Sequence, residues 1–450
     1  MQNNGQSHRG NTRPRRLLLC LDGVPHELIE VARNKGLFET FGAPTRLLSP
    51  FPTMTNVALS AMFRASPPAG YESLYFDRKA RELRGGIKKY LGRRTPDKIP
   101  SSYMDELDYQ EPLAFEFLVY VAPESVWRAD MQRFRERFLA APQTRDYFAF
   151  LKGTDGLLHS CGPARLSIAL ESLDRILREI QKVCGDETEI VLFSDHGMNL
   201  QENRRADLAT HLRRQGFKLQ SQLTAINDRS LSIPAFGLCS YAAAYCGDEA
   251  IVPEAADALS EVPGVDFSVY RDGQAVVIKA PRGAARIERR TGSPAGQPRS
   301  GERTTSARQG LPNGDPATAD SVSYRYLNTT GDPLDLMTIV DTLRRNGKLD
   351  QEGFASDAAW FDQTHSHLYP DALRNIYTSL HTNRVKHTAD VLVSLRDGYY
   401  YGWSPFGRVV RLAATHGNAL RSSSNAFLMS THRQLPSCVR ADDADGLLKG

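Results

Sequence analysis

Acidic and histidine side chains recur where apolar runs of this sequence end. The six residues are Asp22, Asp155, His159, Asp195, His196 and His416. Carboxylate oxygens and imidazole nitrogens together suit Zn²⁺, and Mn²⁺ is the alternative. Six donors exceed what one tetrahedral ion with an open position needs. The set therefore predicts two divalent metal ions, about 3.5–4 Å apart, which together clamp an in-line displacement at phosphorus.

A displacement of this kind also needs a nucleophile, and the segment "SPFPTMTNVALSAMF" (49–63) offers two hydroxyls. Thr53 and Thr55 precede a predicted helix that starts near Val57. An alkoxide at a helix N-terminus faces the positive end of the helix dipole, and a bound metal lowers the pKa of the hydroxyl. The residues alone leave both threonines as candidates.

The elements that must position these groups follow from the apolar runs. Four of them predict buried strands: 16–22, 115–122, 147–153 and 189–195. Between the last two, Pro163 and leucines at helical spacing predict a helix. Strands that alternate with helices indicate a parallel sheet, whose carboxyl edge is the usual ligand site. The predicted fold class is α/β, a three-layer αβα sandwich with a largely parallel central sheet.

The domain organisation is predicted from composition. Residues 1–15 form a flexible basic N-terminus and residues 16–450 a single catalytic domain. Within it, the charged stretch 65–114 reads as a cap insertion. The stretch 285–320 is rich in Gly, Pro, Ser, Thr and Arg, and is predicted to be a disordered loop.

Further along the chain, residues 265–280 are predicted to form a hairpin that turns at Asp272-Gly273. The apolar stretches 389–395 and 425–431 are expected to continue the sheet.

The charge, the apolar stretches and the cysteine spacing limit the kinds of partner and the location that we expect. The net charge is +4, and residues 281–310 contribute +5 of it with seven Arg and two Glu, so the rest is about neutral. We therefore expect a small-molecule substrate and no specific nucleic-acid binding. No apolar stretch has the roughly 20 residues of a membrane span, and six cysteines show no CxxC spacing. A cytoplasmic location without membrane contact is the expectation.

Five segments carry a resemblance to a known family. They are "LLLCLDGV", "PTMTN", "TDGLLHSCGP", "SDHGM" and "THGN", in this order within residues 17–418. The chain resembles the alkaline phosphatase superfamily, and within it the nucleotide pyrophosphatase/phosphodiesterase branch. The resemblance implies a phosphoric ester hydrolase of the type I phosphodiesterase kind.

The resemblance also implies a role for each residue. Asp155, His159 and His416 would hold one zinc ion. The other would be held by Asp22, Asp195 and His196 together with the hydroxyl of Thr55. Thr55, the second threonine of the family's PTxT segment, would attack phosphorus and form a phospho-threonine intermediate, which water then hydrolyses.

The sequence departs from that branch after the nucleophile. The branch continues with "FPN" and has an Asn about twenty residues on that donates to a phosphoryl oxygen, whereas this chain continues with "NVALS" and lacks that Asn. Asn56, the Thr55 backbone N–H or Lys152 are the candidate substitutes. The alternatives are a phosphomonoesterase or phosphonate hydrolase of the same superfamily, or a catalytically silent binding module. The physiological substrate and the oligomeric state stay open.

Overall fold

The computed structural model describes residues 15–86, 101–119, 121–224, 228–292, 322–403 and 412–449. Residues 1–14 of the predicted flexible N-terminus lie outside this range. Arg15 lies within it and is buried, with its guanidinium 4.1 Å from the centre of the Phe138 ring. Arg15 therefore packs on the folded part of the chain directly before β1.

Strands account for most of the buried backbone. In chain order they are β1 (Arg16–Leu21), β2 (Thr45–Leu48), β3 (Leu74–Asp77), β4 (Glu82–Gly85), β5 (Tyr109–Gln110), β6 (Tyr147–Leu151), β7 (Glu189–Phe193), β8 (Arg204–Arg205), β9 (Lys218–Leu219), β10 (Ser230–Ser232), β11 (Leu238–Cys239), β12 (Tyr241–Cys246), β13 (Val265–Asp272), β14 (Ala275–Ala280), β15 (Gly283–Thr291), β16 (Val322–Gly331), β17 (Ala355–Ser356), β18 (Val391–Leu395), β19 (Tyr399–Gly402), β20 (Asn425–Ser430) and β21 (Cys438–Arg440).

Helices connect and cover these strands. In chain order they are α1 (His26–Asn34), α2 (Thr55–Met62), α3 (Phe115–Leu118), α4 (Pro123–Ala140), α5 (Gly153–Cys161), α6 (Pro163–Cys184), α7 (Leu208–Arg214), α8 (Val252–Ser260), α9 (Met337–Arg345), α10 (Asp357–Thr364), α11 (Ala372–His381), α12 (Arg421–Ser424) and α13 (Asp445–Lys449).

The central sheet has the strand order β21-β2-β20-β7-β1-β6-β5. β5, β6, β1 and β7 run parallel, with Leu19 of β1 aligned to Ala149 on one side and Leu192 on the other. β20 runs antiparallel to both of its neighbours, and β21 is parallel to β2. All residues of β1, β6 and β7 are buried, as expected of strands covered on both faces.

Helices cover both faces of this sheet. On one face, apolar side chains of α1, α4, α5 and α6 pack on β1, β6 and β7. On the other, α2 and α13 close a second apolar cluster. The helix predicted after Pro163 is α6, and its predicted leucines are buried. The predicted three-layer αβα fold is confirmed.

A second sheet, which the sequence analysis does not predict as separate, has the order β17-β16-β15-β14-β13-β18-β12-β10-β9. Its pairs are antiparallel except β9 with β10. The predicted hairpin is present as β13 and β14. The strand predicted at 389–395 is β18, but it belongs to this second sheet. The apolar run at 389–395 correctly predicts a strand, but it does not predict with which strands that strand pairs.

Three further expectations need correction. The run 115–122 is not a strand, because Leu118 and Val119 donate their N–H groups to carbonyls four residues earlier and α3 forms. A short apolar run does not distinguish a strand from a buried helix by periodicity. Residues 109–110 pair with β6 of the central sheet, so a cap insertion cannot extend to 114.

The third correction concerns the loop. β15 extends to Thr291, so the predicted disorder cannot begin at 285, and residues 293–321 lie outside the described range. The arginines at the start of the basic stretch are paired in this strand region: Arg286 contacts Asp272, and Arg290 contacts Glu352 at 2.7 Å. Among the described residues, no helix combines the length and apolarity that crossing a membrane requires.

Candidate metal centre

The acidic and histidine residues singled out in the sequence lie together at the carboxyl edge of the central sheet. Asp22 directly follows β1, and Asp195 and His196 come just after β7. Asp155 lies in the first turn of α5, which begins next to the end of β6. His416 lies in the loop that leads to α12 and β20. Adjacent parallel strands therefore bring these distant segments to one edge, as predicted.

Asp155, His159 and His416 form one compact group. Each offers a ligand atom, and these atoms lie within 4.8 Å of one another. The Nε2 atoms of His159 and His416 are 3.1 Å and 3.7 Å from Asp155 Oδ1. Asp155 and His159 face each other because they are four residues apart on one helix.

Asp22, Asp195 and His196 form the second group, also with ligand atoms within 4.8 Å. His196 Nε2 lies 3.3 Å from Asp195 Oδ2 and 3.5 Å from Asp22 Oδ1. The Gly23 backbone N–H donates to Asp195 Oδ1 at 3.1 Å and fixes this carboxylate. The groups are those that the family resemblance implies.

The two groups adjoin through their histidines. The rings of His196 and His416 are stacked, with centroids 3.9 Å apart and planes inclined by 17°. All six side chains are buried. A single enclosed centre therefore contains both groups.

Each of the three imidazoles has its Nδ1 atom against a backbone carbonyl. His159 meets Ala414 O at 2.7 Å, His196 meets Gly197 O at 2.9 Å, and His416 lies 2.8 Å from the carbonyl oxygen of Thr53. A carbonyl oxygen only accepts, so Nδ1 carries the proton and Nε2 presents its lone pair to the centre. This is the tautomer that metal-binding histidines adopt when their second nitrogen donates outwards.

The carboxylates lack matching donors. Asp22 Oδ2, Asp155 Oδ1 and Asp195 Oδ2 are buried and have no well-aligned hydrogen bond among the described residues. The nearby Nε2 atoms do not satisfy them, since those nitrogens also carry lone pairs. Buried carboxylate oxygens that face imidazole lone pairs fit cations placed between them. The residues present thus fit divalent metal ions.

Protonation within the centre follows its burial. Burial lowers the pKa of His196 to about 4 and the pKa of His416 to about 3, so both imidazoles are neutral near pH 7. Burial also raises the pKa of Asp195 to about 6. The pKa of Asp22 is raised well above its usual range by burial and by the charge of Asp195. Asp155 differs, because His159 lowers the pKa of this carboxyl and the carboxylate in turn raises the pKa of His159. Negative charge is therefore unfavourable at Asp22 and Asp195 without a cation, whereas Asp155 keeps its charge beside the imidazoles.

Thr55 is the hydroxyl nearest the second group. It is the first residue of α2, and its Oγ1 lies 3.3 Å from both Asp22 Oδ1 and His196 Nε2. Thr53 is fully buried, donates to Asn418 O at 3.3 Å and accepts from Gly417 N–H at 2.8 Å. The geometry therefore favours Thr55 as the nucleophile candidate and gives Thr53 a structural role.

Asn56 follows Thr55 and is held by a residue that the sequence analysis did not single out. The Tyr103 hydroxyl donates to Asn56 Oδ1 at 2.8 Å, which turns the amide NH₂ away from the tyrosine. Tyr103 lies in the stretch 65–114, where no motif is readable, so no sequence signal identifies it. No described acceptor meets the backbone N–H groups of Thr55 and Asn56, as expected for a first helical turn.

Comparison with known proteins gives one family match. The family model "Type I phosphodiesterase / nucleotide pyrophosphatase" matches residues 74–281. This range contains Asp155 and Asp195 but excludes Asp22, Thr55 and His416. No curated protein matches the chain significantly.

Solved structures give a likeness of fold. Phosphonoacetate hydrolase from Sinorhizobium meliloti 1021, in complex with phosphonoformate, is 14% identical, with a TM-score of 0.50 over 97% of this chain and 95% of its own. Human ectonucleotide pyrophosphatase / phosphodiesterase 5 is 10% identical, with a TM-score of 0.47 over 96% and 93%. The family match to residues 74–281 agrees with the predicted resemblance to phosphoric ester hydrolases. The likeness to the phosphonoacetate hydrolase structure supports the predicted fold.

Proposed function

We propose that this chain, which resembles the type I phosphodiesterase branch of the alkaline phosphatase superfamily, hydrolyses phosphodiesters at a two-metal centre with Thr55 as the nucleophile. The observation that carries the proposal is the pairing of two three-residue donor groups with one hydroxyl. The ligand atoms of each group lie within 4.8 Å of one another, and Thr55 Oγ1 is 3.3 Å from members of the second group.

Divalent ions, most simply zinc with manganese as the alternative, would lower the pKa of the hydroxyl and neutralise charge on the phosphoryl group. Asp155, His159 and His416 would hold one ion. Asp22, Asp195 and His196 would hold the other, together with Thr55. The three backbone carbonyls that accept from Nδ1 keep each imidazole in its ligand tautomer.

Thr55 has the position that its role requires. Its hydroxyl hydrogen bond to Asp22 holds Oγ1 against the centre, and the N-terminus of α2 favours negative charge there. Attack on phosphorus would form a phospho-threonine and release one alcohol. Water would then release the second product, with burial of the centre excluding other nucleophiles.

We propose that the first turn of α2 supplies the donors to the phosphoryl oxygens. The N–H groups of Thr55 and Asn56 have no described acceptor, and the Asn56 amide is oriented by Tyr103. These groups would replace the asparagine that the branch carries further along the chain. Donors fixed before reaction stabilise the charge that develops on the oxygens.

The nearest alternative is hydrolysis of monoesters or phosphonates. The fold likeness to a phosphonoacetate hydrolase favours testing phosphonates first. We also propose that residues 16–450 act as one catalytic unit, since the donors come from Asp22 near one end and His416 near the other.

The test measures metal content and turnover on the same protein. We expect close to two zinc equivalents and hydrolysis of bis-p-nitrophenyl phosphate. Replacing Thr55→Ala should reduce kcat by at least ~10³-fold, because the nucleophile is removed. Thr382→Ala, which changes an exposed threonine after α11, is the matched control and should retain full activity.

The outcomes separate the candidate functions. Turnover that survives Thr55→Ala would exclude the phospho-threonine route. A metal-free protein without turnover would instead support the silent binding module. A substrate panel of mono- and diesters and phosphonoacetate then ranks the hydrolase alternatives by kcat/KM.

A further inference from the structure

A narrow cavity lies between the segment before β3 and strand β12. Five tyrosines and one carboxylate, Glu72, line it together with small apolar residues; the tyrosines are Tyr71, Tyr75, Tyr241, Tyr245 and Tyr401. The hydroxyls of Tyr245 and Tyr401 donate to the backbone carbonyls of His387 and Ile233, so these residues offer the cavity their rings. The free space accommodates a group about the size of a water molecule.

Glu72 has neutral partners only. Its Oε1 accepts from the Gly237 N–H at 2.9 Å and from the Cys239 thiol at 3.5 Å. Burial raises the pKa of Glu72, although these donors and the Tyr241 hydroxyl oppose that effect. Within the described part of the chain no Lys, Arg or His forms an ion pair with it. This carboxylate therefore lacks the cation that a partly buried acid normally has.

Arg78, a basic residue close to the cavity, is already engaged. Arg78 lies 5.7 Å from the centre of the Tyr245 ring, donates to Thr388 O at 2.6 Å and forms an ion pair with Asp390. The cavity thus contains five tyrosines and a carboxylate that has no basic partner among the described residues. Aromatic faces and a carboxylate are the combination that attracts a ligand cation.

The segment 239–241, which contains the cavity residue Tyr241, contacts the loop that carries His416. The Ser240 N–H, between Cys239 and Tyr241, donates to the carbonyl of His416 at 2.7 Å. A methyl group added at Gly417 would lie 2.9 Å from the Tyr241 ring and 3.4 Å from Cys239 Cβ. Cys239 and Tyr241, which interact with Glu72, are therefore in contact with the loop that contains His416.

We propose that this cavity binds a primary ammonium group on one arm of the substrate, so that the preferred substrates are phosphoric esters of amino alcohols. The inference rests on the proposed function. Glu72 supplies the opposite charge and the tyrosines the aromatic wall. The small free volume favours –NH₃⁺, which is close to water in size, over a trimethylammonium group.

The test compares matched ester pairs. The 2-aminoethyl and 3-aminopropyl esters of p-nitrophenyl phosphate are each measured against the neutral n-propyl and n-butyl esters, with release of p-nitrophenol as the signal. We expect kcat/KM to favour the ammonium member by about tenfold or more, the size of a charge-assisted interaction. A 2-(trimethylammonio)ethyl ester should lose this advantage, and if it kept the advantage the primary-ammonium assignment would be wrong.

Glu72→Gln is the informative variant, because it keeps the size of the side chain and removes its charge. The ammonium-to-neutral ratio should fall to about one. Glu82→Gln, the same change at a half-buried position of β4 where the side chain pairs with Arg84, is the control and should keep the wild-type ratio. A ratio near one in the wild type, or an unchanged ratio in Glu72→Gln, would overturn the inference.

Binding without turnover gives a second readout. 2-Aminoethylphosphonate should raise the melting temperature of the wild-type protein more than n-propylphosphonate does, and Glu72→Gln should abolish the difference. If the wild type hydrolyses bis-p-nitrophenyl phosphate but shows neither preference, only the ammonium site fails. If it hydrolyses no ester at all, the proposed function fails with it.

Discussion

At the residue scale, the polar contacts of the centre divide into those that orient side chains and those left for a ligand. The Nδ1 atoms of His159, His196 and His416 are engaged by carbonyls, while the carboxylate oxygens opposite their Nε2 atoms are not satisfied. Sequence spacing predicts the residue types of such a centre. It does not predict the carbonyls, because they come from segments far away in the chain, such as Thr53 for His416.

Asn56 provides the first prediction at this scale. Asn56→Ala should lower kcat for bis-p-nitrophenyl phosphate by about 10²–10³-fold, the usual effect of losing one preorganised donor. Tyr103→Phe should have a smaller effect, since it removes only the hydrogen bond that orients the amide. Steady-state kinetics check both, and the metal content should not change. An unaltered kcat in Asn56→Ala would assign the donor role elsewhere.

Asp130 predicts a pH dependence of stability away from the centre. Burial raises the pKa of Asp130 to about 7 from 3.8, even though Tyr109 donates to it at 2.5 Å. The native state thus favours the protonated acid, and stability falls as pH rises from about 4 to 7. Asp130→Asn stays neutral, so its free energy of unfolding relative to wild type should rise by about 2–3 kcal/mol between pH 5 and 8.

Denaturant unfolding at several pH values measures this difference. Asp341→Asn, which changes an exposed acid on α9, is the control and should keep a constant offset from wild type over the same range. A constant offset for Asp130→Asn as well would mean that this carboxyl is ionised in the native protein at neutral pH.

At the scale of elements, the sequence predicts best where one strand or helix carries its own signal. β1, β6, β7 and α6 are all buried along the predicted face, and the hairpin at Asp272-Gly273 is present. The strand predicted at 115–122 is wrong, because this segment forms α3 and packs on α5. Val119 lies so close to α5 that a methyl group added at Gly156 would be 2.5 Å from it. Such packing has no local signature.

Gly197 provides a prediction for the turn after β7. A methyl group there would lie 2.4 Å from Ser422 O and 2.6 Å from Asn425 O, and backbone atoms cannot rotate away. Gly197→Ala should therefore displace the adjacent Asp195-His196 pair, destabilise the fold by about 1–3 kcal/mol and lower the metal content. Gly446→Ala on α13 meets nothing within 4 Å and should change neither quantity.

Chemical denaturation and metal analysis of the two glycine variants test this directly. Equal stability and equal metal content in Gly197→Ala and Gly446→Ala would mean that the turn has more space than the backbone geometry indicates.

At the scale of the whole molecule, the sequence predicts the central sheet but not the separate nine-stranded sheet. β12, β13 and β18 read as ordinary apolar strands, and which sheet they join depends on pairing between residues far apart, such as Ala243 with Leu392. The candidate ligands could be found because their strands end at one edge. Glu72 and Tyr103 could not, since their neighbours are set by the folded shape.

Metal removal is the prediction at this scale. The centre brings three buried carboxylates together, so loss of the ions should leave mutual repulsion. Chelation followed by dialysis should lower the melting temperature by several degrees, and added Zn²⁺ should restore it in proportion to the logarithm of its free concentration. Scanning calorimetry measures the shift. Chelation should lower the melting temperature of His416→Ala, which lacks one candidate ligand, less than that of His432→Ala, which changes an exposed histidine.

The contact between the His196 and His416 rings has a consequence for biosynthesis. The two residues are separated by 220 positions in the chain (196 to 416), so the segment with His196 is made well before the segment with His416. The group of Asp155, His159 and His416 can form only after the later segment has packed against the central sheet. We therefore expect any metal uptake by this group to follow the assembly of that sheet.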